Sequence, residues 1–223
     1  MANVVRNWRT LDPVSQLGRA RQFYDRIPAE YDRGMSSWPA RRVLERRRAK
    51  VGEIVRGRIL DIAFGTGLSL PHYPASAWVV GVDASLGMLR LGRERAKRLG
   101  RRVDLVQMDA EQLAFADGTF DSVAFNLCLC EIANPEQAVR EAVRVARPGA
   151  PITFLEHVRS HLLPVAIVQD VFNPLSTMLV SDHINRRTAD TVRRAGVEID
   201  SVDRWFLGIF NLIVGHAPEA GRA

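Results

Sequence analysis

The chain has 223 residues, enough for one full hydrophobic core, with the 47% hydrophobic and 25% charged content of an ordinary globular protein. No run approaches the roughly 18 apolar residues of a membrane span, and no apolar signal segment opens the chain, which predicts a cytoplasmic location. The net charge of +6 is unevenly placed: residues 1–58 hold 14 basic and 6 acidic side chains, the remainder 17 and 19.

Met1 to Pro13 shows no periodicity and reads as a loose arm. From Ser15 the pattern turns helical, with Leu17, Ala20, Phe23, Tyr24 and Ile27 at spacings of three and four. Pro28 and Pro39 punctuate the next stretch of chain. Arg41 to Val55 reads as a basic amphipathic helix. It could lie on an anionic bilayer or pack on a sheet with its charges in water.

Ile59 to Leu70, ILDIAFGTGLSL, reads as an apolar strand, a glycine-rich turn and the start of a helix. Gly65 and Gly67 let backbone approach a ligand closely, and a helix N-terminus over the turn would favour an anionic group. A dinucleotide turn would place a small residue where Leu70 stands, and a phosphate-binding Walker loop would need a lysine that is absent. The pattern left is D-x-A-x-G-T-G, with Asp61 at the strand end.

A second strand, Trp78 to Asp83, ends on an acid 22 residues after Asp61. That spacing suits a carboxylate on ribose hydroxyls, and the alternative is a cap for the helix Ala84–Leu99. Val103–Met108 reads as a third strand, followed by Asp109 and Ala110. Phe120–Leu127 is a fourth, with Asn126 near its end. A helix opens at Pro135 and stops at Arg147-Pro-Gly149. Pro151–Leu155 is a fifth strand, ending at Glu156 and His157. His161–Val180 is apolar but interrupted by Pro164, Asp170 and Pro174. It reads as a lid, an interfacial element or a core helix with a turn.

Cys128 and Cys130 are the only cysteines. Two apart in an expected strand, they cannot form an ordinary disulfide, and the sequence shows no metal-ligating partners for them. They read as reduced core or pocket-wall thiols, and no metal site is assigned.

The segments ILDIAFGTG, VVGVDAS, MDAEQLAFADGTFDSV, RVARPG and FLEHVRS resemble, in order and spacing, the type 11 group of class I S-adenosylmethionine (AdoMet) methyltransferases. The likeness runs from about Tyr24 to His157. FYDRIPAEYDR resembles the tyrosine-aspartate helix of ubiquinone/menaquinone and phosphatidylethanolamine methyltransferases. The tail resembles bacterial phosphatidylethanolamine N-methyltransferases and alkyl-thiol methyltransferases. The resemblance implies an α/β fold, a doubly wound Rossmann-like sheet of seven strands with an antiparallel last strand. Val197–Trp205 and Phe206–Val214 fit the final pair. It implies a cap over residues 1–57, including an acceptor and membrane-surface region. The cofactor domain then spans 58–223, with an insertion at 158–182.

Carried over residue by residue, Gly65 and Gly67 would line the methionine portion of AdoMet, and Asp61 would hold its amino group directly or through water. Asp83 would hold the ribose, Asp109 and Ala110 would meet the adenine, and Ala84 belongs to the same cofactor-binding set. Asn126 would sit below the sulfonium, and Tyr24 or Tyr31 would close over the cofactor. Ala63 and Phe64 depart from the usual small residues and leave less room near the methionine end. The product would be S-adenosylhomocysteine.

Methyl transfer mainly demands alignment, plus a base when the acceptor arrives protonated. His157 and Tyr24 are the catalytic candidates. Glu131 reads as an exposed loop carboxylate, and His183 and Asn185 as possible borders of the acceptor pocket. The favoured acceptor is a phosphatidylethanolamine nitrogen, with transient contact to an anionic inner-membrane surface. An apolar thiol or a quinone is the alternative within this chemistry. Nucleic-acid methylation is disfavoured because Asn126-Leu-Cys-Leu129 lacks the expected proline pair. A non-catalytic AdoMet binder is the remaining class.

Overall fold

Long apolar runs without alternation mark strands covered on both faces, and they form the centre of the sheet. The computed structural model describes residues 15–180 and 182–219, so the arm expected at Met1–Pro13 lies outside the described residues. Three helices come first: α1 (Gln16–Arg26), α2 (Pro28–Ser36) and α3 (Trp38–Ile54). They precede β1 (Arg58–Ile62), β2 (Trp78–Asp83), α4 (Leu86–Arg98), β3 (Val103–Gln107) and β4 (Ser122–Asn126). Next come α5 (Pro135–Val145), β5 (Pro151–His157), α6 (Leu163–Val180), α7 (Thr188–Arg194), β6 (Glu198–Trp205) and β7 (Phe210–His216).

The sheet has seven strands in the order β3-β2-β1-β4-β5-β7-β6. β1 is central, with Leu60 level with Val80 of β2 and Val123 of β4. All neighbours pair in parallel except β7, which runs antiparallel to both β5 and β6. Reversal of strand order between β1 and β4 opens a crevice at the carboxyl ends of the strands, where ligands bind in such sheets.

Three expectations change. No α-helix follows the glycine-rich turn; only a 3-10 turn, Leu70–His72, does, so the turn has no α-helical N-terminus behind it. β7 starts at Phe210 rather than Phe206, because Phe206, Leu207 and Gly208 all adopt positive φ in a tight turn. Residues 163–180 form one continuous helix rather than a broken segment. Pro164 sits in its first turn, where no intrahelical N–H is needed, and only Pro174 removes an interior bond.

The basic helix α3 packs on the sheet. Arg48 is buried, Arg47 lies over the Trp205 ring at 4.5 Å, and Lys50 reaches Asp203 at 3.0 Å. The approach is close: a Cβ at Gly52 would lie 2.0 Å from the His72 carbonyl oxygen. Backbone cannot yield there as a side chain can. Gly52→Ala is expected to cost at least about 1–3 kcal/mol of stability, read by denaturant unfolding.

Candidate active site

The glycine-rich turn is held by the acid that ends the neighbouring strand. Asp83 accepts Gly65 N at 2.8 Å through one carboxylate oxygen and Ser85 N at 2.8 Å through the other. Ser85, not Asp83, caps α4, accepting Met88 N at 3.1 Å. Asp83 therefore ties two loops together and still lines the crevice. Ala63 takes φ +55°, a region L-residues rarely occupy, which is where a glycine would sit without strain. Phe64 does not crowd the ligand side, contrary to expectation. Its ring is buried and fills the space left by Gly67, Gly81 and Gly92.

The two tyrosine-aspartate pairs clamp α1 and α2 over the crevice. Asp25 accepts Ser85 Oγ at 2.7 Å and Gly87 N at 2.9 Å, beside the start of α4. Asp32 accepts both Arg95 Nη2, at 2.9 and 3.1 Å, and Thr66 Oγ1 at 2.6 Å. An arginine–carboxylate pair of this kind fixes orientation as well as distance. The neighbouring Tyr24 and Tyr31 rings meet edge to face, 5.7 Å apart.

Two adjoining cavities result. The first is lined by Tyr24, Tyr31, Ala63, Gly65, Asp83, Ala84, Asp109, Ala110 and Asn126, with Met88 and Met108 as apolar walls. Sequence candidates thus meet in one place. Asp61 and Gly67 do not line it. Asp61 is buried behind it, receiving Tyr73 Oη at 2.9 Å and Asn126 Nδ2 at 3.2 Å. Asn126 Oδ1 is buried and has no hydrogen-bond partner among the described residues, an open acceptor suited to a ligand ammonium. With Asp83 facing the same space, the donor set fits AdoMet.

The second cavity is lined by Tyr24, Tyr31, Met35, Val43, Leu44, Leu127, Cys130, Glu131, His157, Asp182 and Phe210. Tyr24, Tyr31, Leu127 and Glu131 line both cavities, so they stand at the junction. Glu131 is the only carboxylate in that group. Tyr24 Oη donates to it, and burial pushes its pKa up to about 8. The sequence reading of an exposed loop acid is overturned, because α1 folds across it from 107 residues away.

His157 ends β5 in the wall of the second cavity, with Nε2 3.2 Å from Asp182. Burial alone would lower its pKa, but Asp182 outweighs that, and the net shift is upward. Cys128 and Cys130 are free, buried and beyond the end of β4 rather than within it. The fold gives Cys130 the partners that the sequence did not show. Its sulfur, a His157 nitrogen and an Asp182 oxygen lie within 4.8 Å of one another, a trio that could hold a metal ion. His183 and Asn185 do not border this cavity: His183 lines another surface, and Asn185 donates to Asp170 at 3.0 Å.

Tyr73 and Asp182 have no sequence signal of their own, and Glu156 reads only as the end of a strand. Glu156 is fully buried and accepts Cys128 N and Leu129 N at 3.1 and 3.2 Å, fixing the turn in which Leu127 takes φ +57°.

Residues 60–154 match the family model described as a methyltransferase domain. This stretch, from β1 to β5, is what the chain shares with methyltransferase domains. A phosphatidylethanolamine N-methyltransferase of Cereibacter sphaeroides is 38% identical over 51% of this chain and 57% of its own length. A demethylmenaquinone methyltransferase of Renibacterium salmoninarum is 38% identical over 48% of this chain and 44% of its own. The chain thus spans about half the length of these curated relatives. A SAM-dependent methyltransferase structure from Thermotoga maritima superposes with a TM-score of 0.63 at 21% identity, over 89% of this chain and 99% of the other. That likeness concerns the fold.

Burial raises the pKa of Asp61 to about 7, Asp83 to about 6, Glu131 to about 8 and Glu156 to about 7. Each group keeps its proton in the fold where the unfolded chain, with values of 3.8 or 4.5, has released it. Unfolding therefore releases protons, and stability falls as pH rises from about 4 to about 8. Thermal unfolding of the ligand-free protein is expected to show that fall, and Glu131→Gln to reduce it at the upper end.

Proposed function

We propose that the protein transfers the methyl group of AdoMet to an amine nitrogen, with the headgroup of phosphatidylethanolamine as the favoured acceptor. The observation that carries this is Glu131, the one carboxylate lining both cavities, which it does together with Tyr24 and Tyr31. A carboxylate flanked by aromatic rings attracts an ammonium and disfavours a thiolate. Apolar walls at Met35, Val43, Leu44 and Phe210 would admit a quinone ring or a thiol equally well, so the charge is what separates the readings.

In this reading Asp83 and Ala84 hold the ribose, and Asp109 and Ala110 the adenine. Asn126 takes the amino group, with Asp61 and Tyr73 fixing the amide behind it. Gly65 supplies close backbone approach. Gly67 acts only through the turn. When bound, AdoMet would supply an activated methyl group, the C–S electron pair staying on sulfur in S-adenosylhomocysteine. Glu131 accepts the proton that the acceptor ammonium must lose before its lone pair can form the N–C bond. Tyr24 orients Glu131 by hydrogen bond, and the tyrosines exclude water from the junction. His157 with Asp182 forms the polar end of the acceptor cavity and can pass a proton onward.

Incubation with methyl-deuterated AdoMet and phosphatidylethanolamine, read by mass spectrometry, is expected to label the headgroup. The rate should rise with pH as Glu131 loses its proton near 8. Glu131→Gln should lower turnover roughly 10²-fold and remove that rise. Label confined to a thiol or quinol, or an unchanged rate in Glu131→Gln, would overturn the amine reading.

A further inference from the structure

Helix α6 is tethered to the body by polar contacts on one side and left bare on the other. Its inner face carries buried Ala166 and Gln169. Gln169 accepts Ser160 N at 2.7 Å and donates to Val158 O at 2.9 Å and Ile184 O at 2.8 Å. Its one charged residue, Asp170, is answered by Arg159 at 2.8 Å and Asn185 at 3.0 Å. The outer face presents Leu163, Ile167, Val171, Phe172, Leu175 and Met178, with Val171 68% and Met178 76% exposed. Apolar patches of this kind on a protein surface usually mark an interaction site. No helix among the described residues is long and apolar enough to cross a membrane.

The patch continues onto the β6–β7 turn. Phe206 and Leu207 are each 60% exposed and held outward in positive-φ conformations. Ser160 Oγ, just ahead of α6, donates to Leu207 O at 2.5 Å and joins the two elements. Beside this join lies a polar depression lined by Arg159, His161, Arg187, Arg193 and Arg204, with Asp190 as its one acid. Arg193 pairs with Asp190 and Arg159 with Asp170. Arg187 feels Asp170 only through space, and neither Arg187 nor Arg204 forms a side-chain hydrogen bond or close ion pair with a described residue. Cations with no directly bonded acid, beside outward-facing aliphatic and aromatic side chains, complement one surface in particular: acyl chains below a layer of phosphate.

We infer that the outer face of α6, the Phe206–Leu207 turn and the Arg187/Arg204 depression form a docking surface for an anionic lipid bilayer, with lipid phosphate in the depression. This deepens the lipid reading of the acceptor and rests on it for its purpose. The Phe206 ring lies 6.2 Å from that of Phe210, which lines the acceptor cavity. The docking surface therefore runs up to the cavity wall, and a headgroup can be reached without leaving the interface. Membrane contact is thereby assigned to the late part of the chain rather than to the packed basic helix α3.

The test is co-sedimentation with vesicles of phosphatidylcholine alone and of phosphatidylcholine containing phosphatidylglycerol. Three proteins are compared: the wild type, Val171→Glu/Met178→Glu and Arg187→Ala/Arg204→Ala. All substituted positions lie away from both cavities, and circular dichroism checks folding. The wild type should bind the anionic vesicles and bind neutral ones far more weakly. The apolar-face variant should lose at least about tenfold in affinity for the anionic vesicles. The arginine variant should lose about tenfold, together with the preference for anionic lipid. Methylation of short-chain, monomeric phosphatidylethanolamine should be equal in all three. Vesicle binding that is absent in the wild type, or equal in all three, overturns the docking surface. Wild-type self-association without lipid that Val171→Glu/Met178→Glu abolishes would assign the face to a second copy and overturn it as well. If docking follows the expected order but no short-chain lipid is methylated, the surface stands and the acceptor reading fails.

Discussion

The structure depends on keeping four carboxyl groups out of water around one crevice. Asp61, Asp83, Glu131 and Glu156 are all desolvated, and burial is the largest influence on each. Hydrogen bonds relieve them only in part: Tyr73 and Asn126 on Asp61, backbone N–H groups on Asp83 and Glu156, and Tyr24 on Glu131. Arg48 and Arg186, the cations nearby, are themselves desolvated. Such an arrangement costs stability in the empty protein and favours a ligand that brings positive charge. A sulfonium with an α-ammonium is such a ligand, and in the proposed reaction an ammonium acceptor would add a second cation at Glu131.

The fold positions these acids through its strand ends. Asp61 and Asp83 lie at the ends of β1 and β2, Asn126 at the end of β4, and Glu156 and His157 at the end of β5. Parallel neighbours in register bring these residues to one edge. α1 and α2 then close that edge, locked by Asp25 on the start of α4 and by Asp32 on Arg95 and Thr66. The adjoining tyrosines thus serve as a roof because the aspartates beside them are fixed.

Much of this was legible in the sequence. Strands β1 to β5 read within a few residues, since buried parallel strands are short apolar runs closed by glycine, proline or acid. Gly65, Asp83, Ala84, Asp109, Ala110 and Asn126 around the first cavity also read well, because each lies at or just after the end of a strand. The features that escaped are set by long-range contact. Glu131 looks like a loop acid until α1 covers it. Asp61 looks like a ligand-facing acid until Tyr73 and Asn126 are seen to stand on it. Phe64 looks obstructive until three glycines are seen to receive it. Pro164, Asp170 and Pro174 look like breaks in α6, yet one is in the first turn and another is neutralised by Arg159. Local pattern carries none of that information.

The most direct test of the carboxylate account is calorimetric binding of AdoMet and S-adenosylhomocysteine across the interval from about pH 6 to about pH 8 set by Asp83 and Glu131. The two ligands differ by a methyl group and one positive charge. As the crevice carboxyls lose their protons, the affinity ratio of AdoMet to S-adenosylhomocysteine should rise with pH, and AdoMet binding should release protons. A ratio that stays flat, with no proton release, would contradict the claim that buried carboxylates around this crevice are arranged for a cationic ligand.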